Sequence, residues 1–591
     1  MPHGLLTWVL ASLLVTLSGT AFARCGADAL QPSDVQGTGQ SSPLVGQTVT
    51  VEGVITQDSR HPGGWRGFYL QQTDARTDHN PQTSDALFIY TDRPGGAVGS
   101  QVRVTGQVKE YHGLTELTRV SDLTVCGAGK LPVATPVQLP WPDQQPPEHL
   151  ENMRVTLAEP LTLIGHYSFA RYGELILAHS SQTVPTELLA PGPEAAAMGR
   201  KQLLNRLYLD DGQSIRNPRP LPWPAPRLAN GVPFRAGDAL GALTGILDFR
   251  FGHWRLQPDQ SPEIILRNPR PDPPPRSDNT TLRIVTLNLG NYFNGDGSGA
   301  GFEASRGARS SAQLATQTSR LRAGLHALEP DVIAAVELEN DDYSDTSAIA
   351  DLAAALGPEW QFVATPGITG TDAIRTDLFY RADRVRPLGE PQRLTDGRYG
   401  YRGRPPVAQV FQPIAGSNPA TVRIIVPHLK SKACGGAEGA DKDQNDGQGC
   451  YARRRTDNAR ALAIWLESLP EPENGTNAFA GNLITGDLNS YAREWPIQQL
   501  ENAGLINLVR AHQACTPDNC PETTYRYQGR QGSLDYAMGS EALLKHLVSA
   551  GAWAINAAEF PAIGYQGPIQ LPAGVPWRSS DHNPLYIDLA L

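Results

Sequence analysis

Ser580-Asp581-His582-Asn583-Pro584-Leu585 puts an Asp-His pair at the head of an alternating stretch, Leu585, Ile587 and Leu589, which predicts a strand. Four more polar clusters share that placement. Leu287-Asn288-Leu289, Val336-Glu337-Leu338, Pro427-His428-Leu429-Lys430 and Gly486-Asp487-Leu488-Asn489 each stand at the end of an apolar run. Strands are expected over 282–288, 331–336, 376–381, 422–426 and 479–484, with amphipathic helices over 314–328 and 452–469 between them. Strands alternating with helices predict a layered α/β domain over residues 280–591.

The residue types delivered to those strand ends suit one kind of chemistry. Hydrolysis of a phosphodiester needs an activated water, charge neutralisation on the phosphate and a proton for the leaving oxygen. Two histidines can divide the proton work. Glu337, Asn288, Asp581 and Asp487 are hard oxygen donors, suited to Mg²⁺, Mn²⁺ or Ca²⁺ rather than zinc. Each residue alone also has an ordinary reading. Asn288 can be a turn former, Asp487 with Asn489 an Asx turn, and a lone His428 or His582 a structural histidine. Their joint occurrence at strand ends of one domain favours the chemical reading.

Upstream the pattern differs. Short alternating runs at 48–55, 67–71, 86–90, 101–108 and 114–118, separated by Gly-rich turns, predict a small OB-like barrel within residues 25–140. Trp65, Phe68, Tyr69 and Tyr111 are its candidate stacking aromatics. Weaker runs at 154–157, 173–177, 243–247 and 254–256 predict a second OB-like β module over 150–266, with a long insertion. The Pro-rich stretch 267–279 then reads as a stiff linker. The fold class is therefore multi-domain: all-β modules followed by an α/β domain.

A net charge of -10 excludes a wholly basic nucleic-acid coat, but not a local cationic groove. Leu5 to Leu17 is mostly apolar and precedes Ala21-Phe22-Ala23, so residues 1–23 are expected to be a secretory signal. No later segment is long and apolar enough to span a membrane, so no stable membrane association is expected. Six cysteines agree with an oxidising destination. Their neighbourhoods favour Cys25 with Cys126, Cys434 with Cys450, and Cys515 with Cys520. Asp441 to Gly447 has some features of a Ca²⁺ loop, but its glycine is one place late and the closing Glu is absent, so it reads as a solvated loop. Lys430, Lys432 and Arg453 to Arg455 form a local basic set.

At this point a resemblance becomes specific. Val285-Thr286-Leu287-Asn288, the Glu337 strand, His428-Leu429-Lys430-Ser431-Lys432, Gly486-Asp487-Leu488-Asn489 and Ser580-Asp581-His582-Asn583-Pro584 resemble the ordered motifs of the endonuclease/exonuclease/phosphatase superfamily, which includes deoxyribonuclease I. Asn288 to Asn294 and the 434–450 loop resemble its secreted bacterial nuclease branch, whose members carry OB-like modules before the catalytic domain. The resemblance implies a four-layer α/β sandwich with the site at one rim. It implies Glu337 and Asn288 as ligands of the principal metal with Asp581 nearby, and His582 as the base, oriented by Asp535. His428 would be the acid or a phosphate-stabilising partner. Asp487 would bind metal or help activate the nucleophile, and Asn489 would contact phosphate. Arg404, Lys430 and Lys432 would hold the substrate backbone. One departure stands out: no Glu occupies the position that supports the first histidine in deoxyribonuclease I, and Asp372 is the available substitute.

The expected activity is metal-dependent cleavage of DNA, with RNA as a further substrate. Low sequence specificity is expected because no dedicated base-reading element is present. The alternatives are a phosphatase or sphingomyelinase-type phosphodiesterase of the same superfamily, and a non-catalytic nucleic-acid-binding protein.

Overall fold

A computed structural model describes residues 25–142, 145–219, 221, 234–296, 301–302, 306–400, 403–416, 419–472, 478–514 and 523–591. The expected signal (1–23) and the Cys515–Cys520 pair lie outside the described residues. The chain forms two units. One ends at Val133 and takes in Glu148–Met153; the other holds Ala134–Pro147 and Arg154–Leu591.

In the first unit, all five expected strands form, at Thr48–Asp58, Gly67–Gln71, Ala86–Tyr90, Ser100–Tyr111 and Leu114–Ala128. They close into a barrel in which the third and fifth strands pair in parallel and the other neighbours are antiparallel. Alternation sends Val51, Ile55, Phe68, Leu70, Leu87, Ile89, Val102, Val104 and Leu117 into one core. Cys25 and Cys126 are bonded, tying the entering chain to the last strand. Phe68 and Tyr69 are fully buried and cannot serve as a stacking surface, whereas Tyr111 is exposed.

The second β module is not a second five-stranded barrel. Its strands lie in a nine-stranded sheet that runs from Thr135–Pro136 to Ile264–Ile265 in sequence and carries two parallel pairings. The strands read from the sequence are present, but most are two to six residues long. Local patterns of that length do not encode which edges meet. The Pro-rich stretch is not a free spacer either. Trp553 Nε1 donates to Pro271 O (3.0 Å), Arg283 donates to Pro274 O (3.2 Å) and Pro275 O (2.8 Å), and Arg276 pairs with Asp331 (2.6 Å). Pro271, Pro274 and Pro275 lie outside any strand, and these side-chain donors take up their carbonyls.

Residues 282–591 contain two six-stranded sheets. One runs Trp360–Phe362, Ile374–Arg381, Val332–Glu339, Leu282–Tyr292, Leu585–Leu589, Leu547–Ala552. The other runs Val385–Arg393, Val407–Pro413, Thr421–Val426, Phe479–Asp487, Asp535–Gly539, Ile506–Asn507. Ile284, Val332 and Val336 of the first pack on Val422, Ile424 and Leu483 of the second. The helices Ser311–Leu328 and Ala348–Leu356 cover the outer face of the first through Leu321, Leu325 and Leu352. The helices Ala452–Ser468 and Trp495–Asn502 cover the second through Leu462, Ile497 and Leu500. The result is four layers, helix, sheet, sheet, helix, as the resemblance implies. Among the described residues no helix is long and apolar enough to cross a membrane.

Candidate active site

Strand alternation builds the floor of the site. On the first sheet Ile284 faces the second sheet, and Thr286 and Asn288 follow on that face. On the second sheet Leu483, Thr485 and Asp487 do the same. Thr286 and Thr485 hydrogen-bond between the sheets, and one step further out Asn288 Nδ2 donates to Asp487 Oδ2 (3.4 Å). His428 enters beside Asp487 through an isolated bridge, with its Nε2 3.5 Å from Asp487 Oδ2. Gly486 permits this approach, since a Cβ there would lie 2.2 Å from Pro427 O.

Glu337 reaches the same rim by breaking alternation. Val336 packs between the sheets, while Ala335 and Leu338 both lie on the helix side, so Glu337 is the extra residue of a bulge. Its φ of 60 is left-handed, as are those of Asn291 (59) and Asn489 (46). Three non-glycine residues in that conformation, gathered at one rim, mark a site whose geometry outweighs local backbone cost. Asn291 Nδ2 donates to Glu337 Oε2 (2.7 Å), Asn489 N to Asp487 Oδ1 (2.8 Å), and Asn489 Nδ2 to Leu429 O (3.1 Å).

His582 is held through Nδ1, its ring and its backbone. Its Nδ1 lies 2.7 Å from Asp535 Oδ2, and the Tyr525 ring centroid is 4.6 Å from its own. The backbone is fixed by Asn583, whose Oδ1 accepts from Asn556 N (2.8 Å) and Ala557 N (2.9 Å), and by Asn556 Nδ2, which donates to His582 O (2.7 Å). The Asn following the Asp-His pair is thus a clamp that leaves Nε2 of His582 as the free edge.

The two imidazoles are driven in opposite directions. Burial pushes His428 well below its ordinary value, and the nearby Arg404 charge adds to this. Burial opposes charge on His582 too, but Asp535, then Asp581 and Asp487, outweigh it and raise His582 well above the ordinary value. Burial also raises Glu337, with Asp581 adding to it. Asp487 is pushed up to about 7 by burial, with Asp535 adding and His582 opposing. Glu337, Asp581, Asp487, His428 and His582 line one cleft of about 940 Å³. A second hollow of about 600 Å³ joins it through Arg306, Arg404, His428 and Lys430.

These oxygens fit a hard divalent cation. Glu337 and Asp581 are like charges held close enough to raise Glu337, and Asp535 Oδ1 is buried without a hydrogen-bond partner. Among the described residues the one group of three His, Cys, Asp or Glu side chains with converging donor atoms is Asp487, Asp535 and His582. Its histidine already spends Nδ1 on Asp535. Glu337 and Asp581 are further oxygen donors on the same cleft.

Several sequence expectations change. Asp372 does not bond to His428: its carboxylate pairs with Arg404 (3.2 Å) and Arg306 (3.5 Å), and His428 Nδ1 is buried without a partner. Lys432 is taken by the buried Glu494 (2.6 Å), so its charge is spent inside the wall. Arg455 is a fully buried strut that donates to Cys450 O (2.7 Å) and Gln448 O (2.8 Å), and Arg453 pairs with Asp457 (3.1 Å). Cys434 and Cys450 are bonded, closing the loop that follows His428. Arg404 and Lys430 stay on the cleft. Asn291, Arg306 and Tyr525 belong to the site without a role in the sequence reading. Asn291 sits inside the quoted 288–294 stretch, but the other two have no local signal.

Asp487 yields a stability prediction. Its folded value of about 7 lies above the ordinary 3.8, so the fold favours the protonated form. That preference is complete below about pH 4 and is lost as the pH rises through 7. Asp487→Asn mimics the protonated form. In chelator at pH 8 the variant unfolds at higher temperature than the parent, by an equivalent of roughly 1–3 kcal/mol, and the gap narrows at pH 5. Turnover falls in the same variant. Thermal unfolding at the two pH values, beside an activity assay, checks both signs.

Comparison with known proteins agrees with this geometry. The family model described as "Endonuclease/Exonuclease/phosphatase family" matches residues 285–582, from the strand before Asn288 to His582. No curated protein matches the chain. Solved structures that the chain matches include the human Nocturnin catalytic domain (16% identity, 52% of this chain and 93% of that one, TM-score 0.32). They also include a mannosyl-6-phosphatase from Bacteroides thetaiotaomicron (14%, 52% and 100%, 0.33) and an AP endonuclease from Archaeoglobus fulgidus (12%, 52% and 100%, 0.32). Likenesses this low transfer neither substrate nor mechanism. The family match spans half the chain and takes in Asn288, Glu337, His428, Asp487, Asp535 and His582: this protein belongs to the endonuclease/exonuclease/phosphatase family.

Proposed function

We propose that the chain is an exported, metal-dependent nuclease that hydrolyses phosphodiester bonds of DNA, and of RNA as well, with low sequence specificity. The observation that supports this reading is a pair of imidazoles of opposite proton affinity in one cleft with Glu337 and Asp581, continuous with a second, highly charged hollow. A small phosphomonoester needs no second hollow; a polymer backbone does. Arg306, Arg404 and Lys430 outnumber the one carboxylate, Asp372, that pairs with both arginines, and so leave positive charge beside His428 in a chain that is acidic overall.

Roles follow from the contacts. His582, oriented by Asp535, takes the proton of the attacking water through Nε2. His428 is neutral at working pH, which favours the phosphate-stabilising role over that of a charged acid. Asn489 and Arg404 flank it, and Asp487 ties Asn288, Asn489 and His428 into one unit. Glu337, Asn288 and Asp581 would hold Mg²⁺, Mn²⁺ or Ca²⁺, which supplies charge stabilisation at the phosphoryl and leaving oxygens. Positive charge held there also offsets the carboxylates that keep a proton on His582, and so lowers its pKa toward that of a base.

Two further parts of the reading concern the rest of the chain. The barrel's strand order, with its parallel third and fifth strands, supports an OB-type module that helps hold nucleic acid. The Cys25–Cys126 and Cys434–Cys450 bonds support export. The test is a panel of plasmid DNA, RNA, sphingomyelin and a sugar phosphate, each assayed with Mg²⁺, Mn²⁺ and Ca²⁺ and with excess chelator. DNA and RNA are cut only with cation present, and the others are untouched. Turnover of the sugar phosphate alone would replace the nuclease with a phosphatase.

A further inference from the structure

We propose that Glu187, supplied by the second β module, is a positioning residue for this hydrolysis, its single carboxylate holding the two loops that carry Asp487 and Asp535. The proposal rests on the nuclease reading for its kinetic consequence but not for its geometry.

Glu187 lies in the short helix Pro185–Leu188 and is 4% exposed. Its Oε1 accepts from an Arg510 guanidinium nitrogen (2.7 Å), and its Oε2 accepts from Ser533 N (3.2 Å) and Ala492 N (3.4 Å). Ser533 lies two residues before Asp535, the partner of His582, and Ala492 lies three residues after Asn489. The approach to Glu187 is held just as firmly. Gln182–Thr183 pairs in parallel with Arg530–Gln531, Val184 N donates to Gln531 O (2.9 Å), and Arg493 N donates to Thr186 O (2.9 Å). Thr186 Oγ1 donates to Glu494 Oε1 (2.8 Å), and Glu494 in turn holds Lys432, four residues past His428. One turn of the second module therefore reaches all three loops that follow or precede the catalytic strand ends.

A carboxylate is the group this position needs. It offers acceptors on both oxygens, and the guanidinium makes the bonds charge-assisted. A glutamine of the same shape keeps one acceptor oxygen and turns its NH₂ either toward the two loop amides, which share Oε2, or toward the Arg510 guanidinium, and in both cases the charge assistance is lost. Glu187 itself does not line the cleft, although Val184, Pro185 and Thr186 do. Its influence must pass through Asp487 and Asp535, and small displacements of such groups cost turnover rather than binding.

The experiment uses the full chain with E187Q and E187D. It measures kcat and KM on linear DNA with Mg²⁺, and amide hydrogen exchange in peptides covering 488–494 and 530–536. E187Q is expected to lose about 10- to 100-fold in kcat with KM steady within about twofold, and exchange is expected to rise in those two segments and not in the barrel. E187D, which keeps a carboxylate, recovers part of both. Parental exchange in both segments of E187Q would overturn the proposal, as would a fall in kcat that only tracks the lost folded fraction. If E187Q does not fold, E187D decides alone, since unchanged exchange and kcat there would show that the carboxylate's reach does not matter. A parent chain that cuts no nucleic acid sinks the nuclease reading instead, and the exchange comparison still decides whether Glu187 holds the loops.

Discussion

His582→Ala lowers turnover of DNA about 10²- to 10⁴-fold while binding of an uncleavable phosphorothioate strand, with cation present, stays within a small factor of the parent. The separation follows from where the ring sits. Its Nδ1 edge is committed to Asp535 at 2.7 Å and its carbonyl to Asn556, so only Nε2 can act on a substrate. The residues expected to hold cation and phosphate, Glu337, Asp581, Arg404 and Lys430, do not depend on the imidazole for their place. Alanine leaves Asp535 buried and unpaired, which costs stability, so His582→Gln serves as the companion variant: it can keep a donor toward Asp535 but cannot take up a proton. Asp535→Asn should fall between the parent and the two histidine variants, because the ring survives but its tautomer and orientation are no longer held. Single-turnover rates beside thermal unfolding separate loss of chemistry from loss of fold. Parental rates in both histidine variants would remove His582 from the mechanism.

Alternation explains what could be read in advance. A strand that buries Ile284 and Thr286 between sheets must present Asn288 at its end, and the same count along Leu483 and Thr485 delivers Asp487 opposite. The layered domain was legible for this reason, since helix and strand periods are local. What was not legible depends on distant partners. The bulge at Glu337 is invisible in Val336-Glu337-Leu338, because it arises from the register with Ile374–Arg381. Lys432 and Arg455 look like free cations in the sequence, but Glu494 and the 448–450 carbonyls claim them. Asp372 stands near the place of a missing Glu, yet two arginines take its charge. The second module's edges, and the carboxylate it lends to loops more than 300 residues away, belong to the same class of fact.

Glu337→Gln is expected to change stability in opposite directions with and without cation, and so to identify the site apart from activity. In the parent, burial and the Asp581 charge hold Glu337 above its ordinary range, so the cation-free fold carries a strained acidic pair. Removing one of the two charges relieves that repulsion, and the variant in chelator should unfold slightly above the parent. A saturating divalent cation stabilises the parent by about 2.7 kcal/mol at a concentration one hundred times its Kd. The variant, with Asp581 and Asn288 left as side-chain donors, should show little of that shift. Turnover should fall by about 100-fold or more, with partial recovery at high Mn²⁺ if the loss is one of affinity. The glutamine still accepts from Asn291 Nδ2, which keeps the bulge in place and makes the comparison one of charge rather than shape. A variant that keeps both the cation-induced shift and the parental rate would move the cation away from Glu337 and Asp581. The converging donors of Asp487, Asp535 and His582 would then be its place, and His582 could no longer be the base, because its free nitrogen would be spent on the ion.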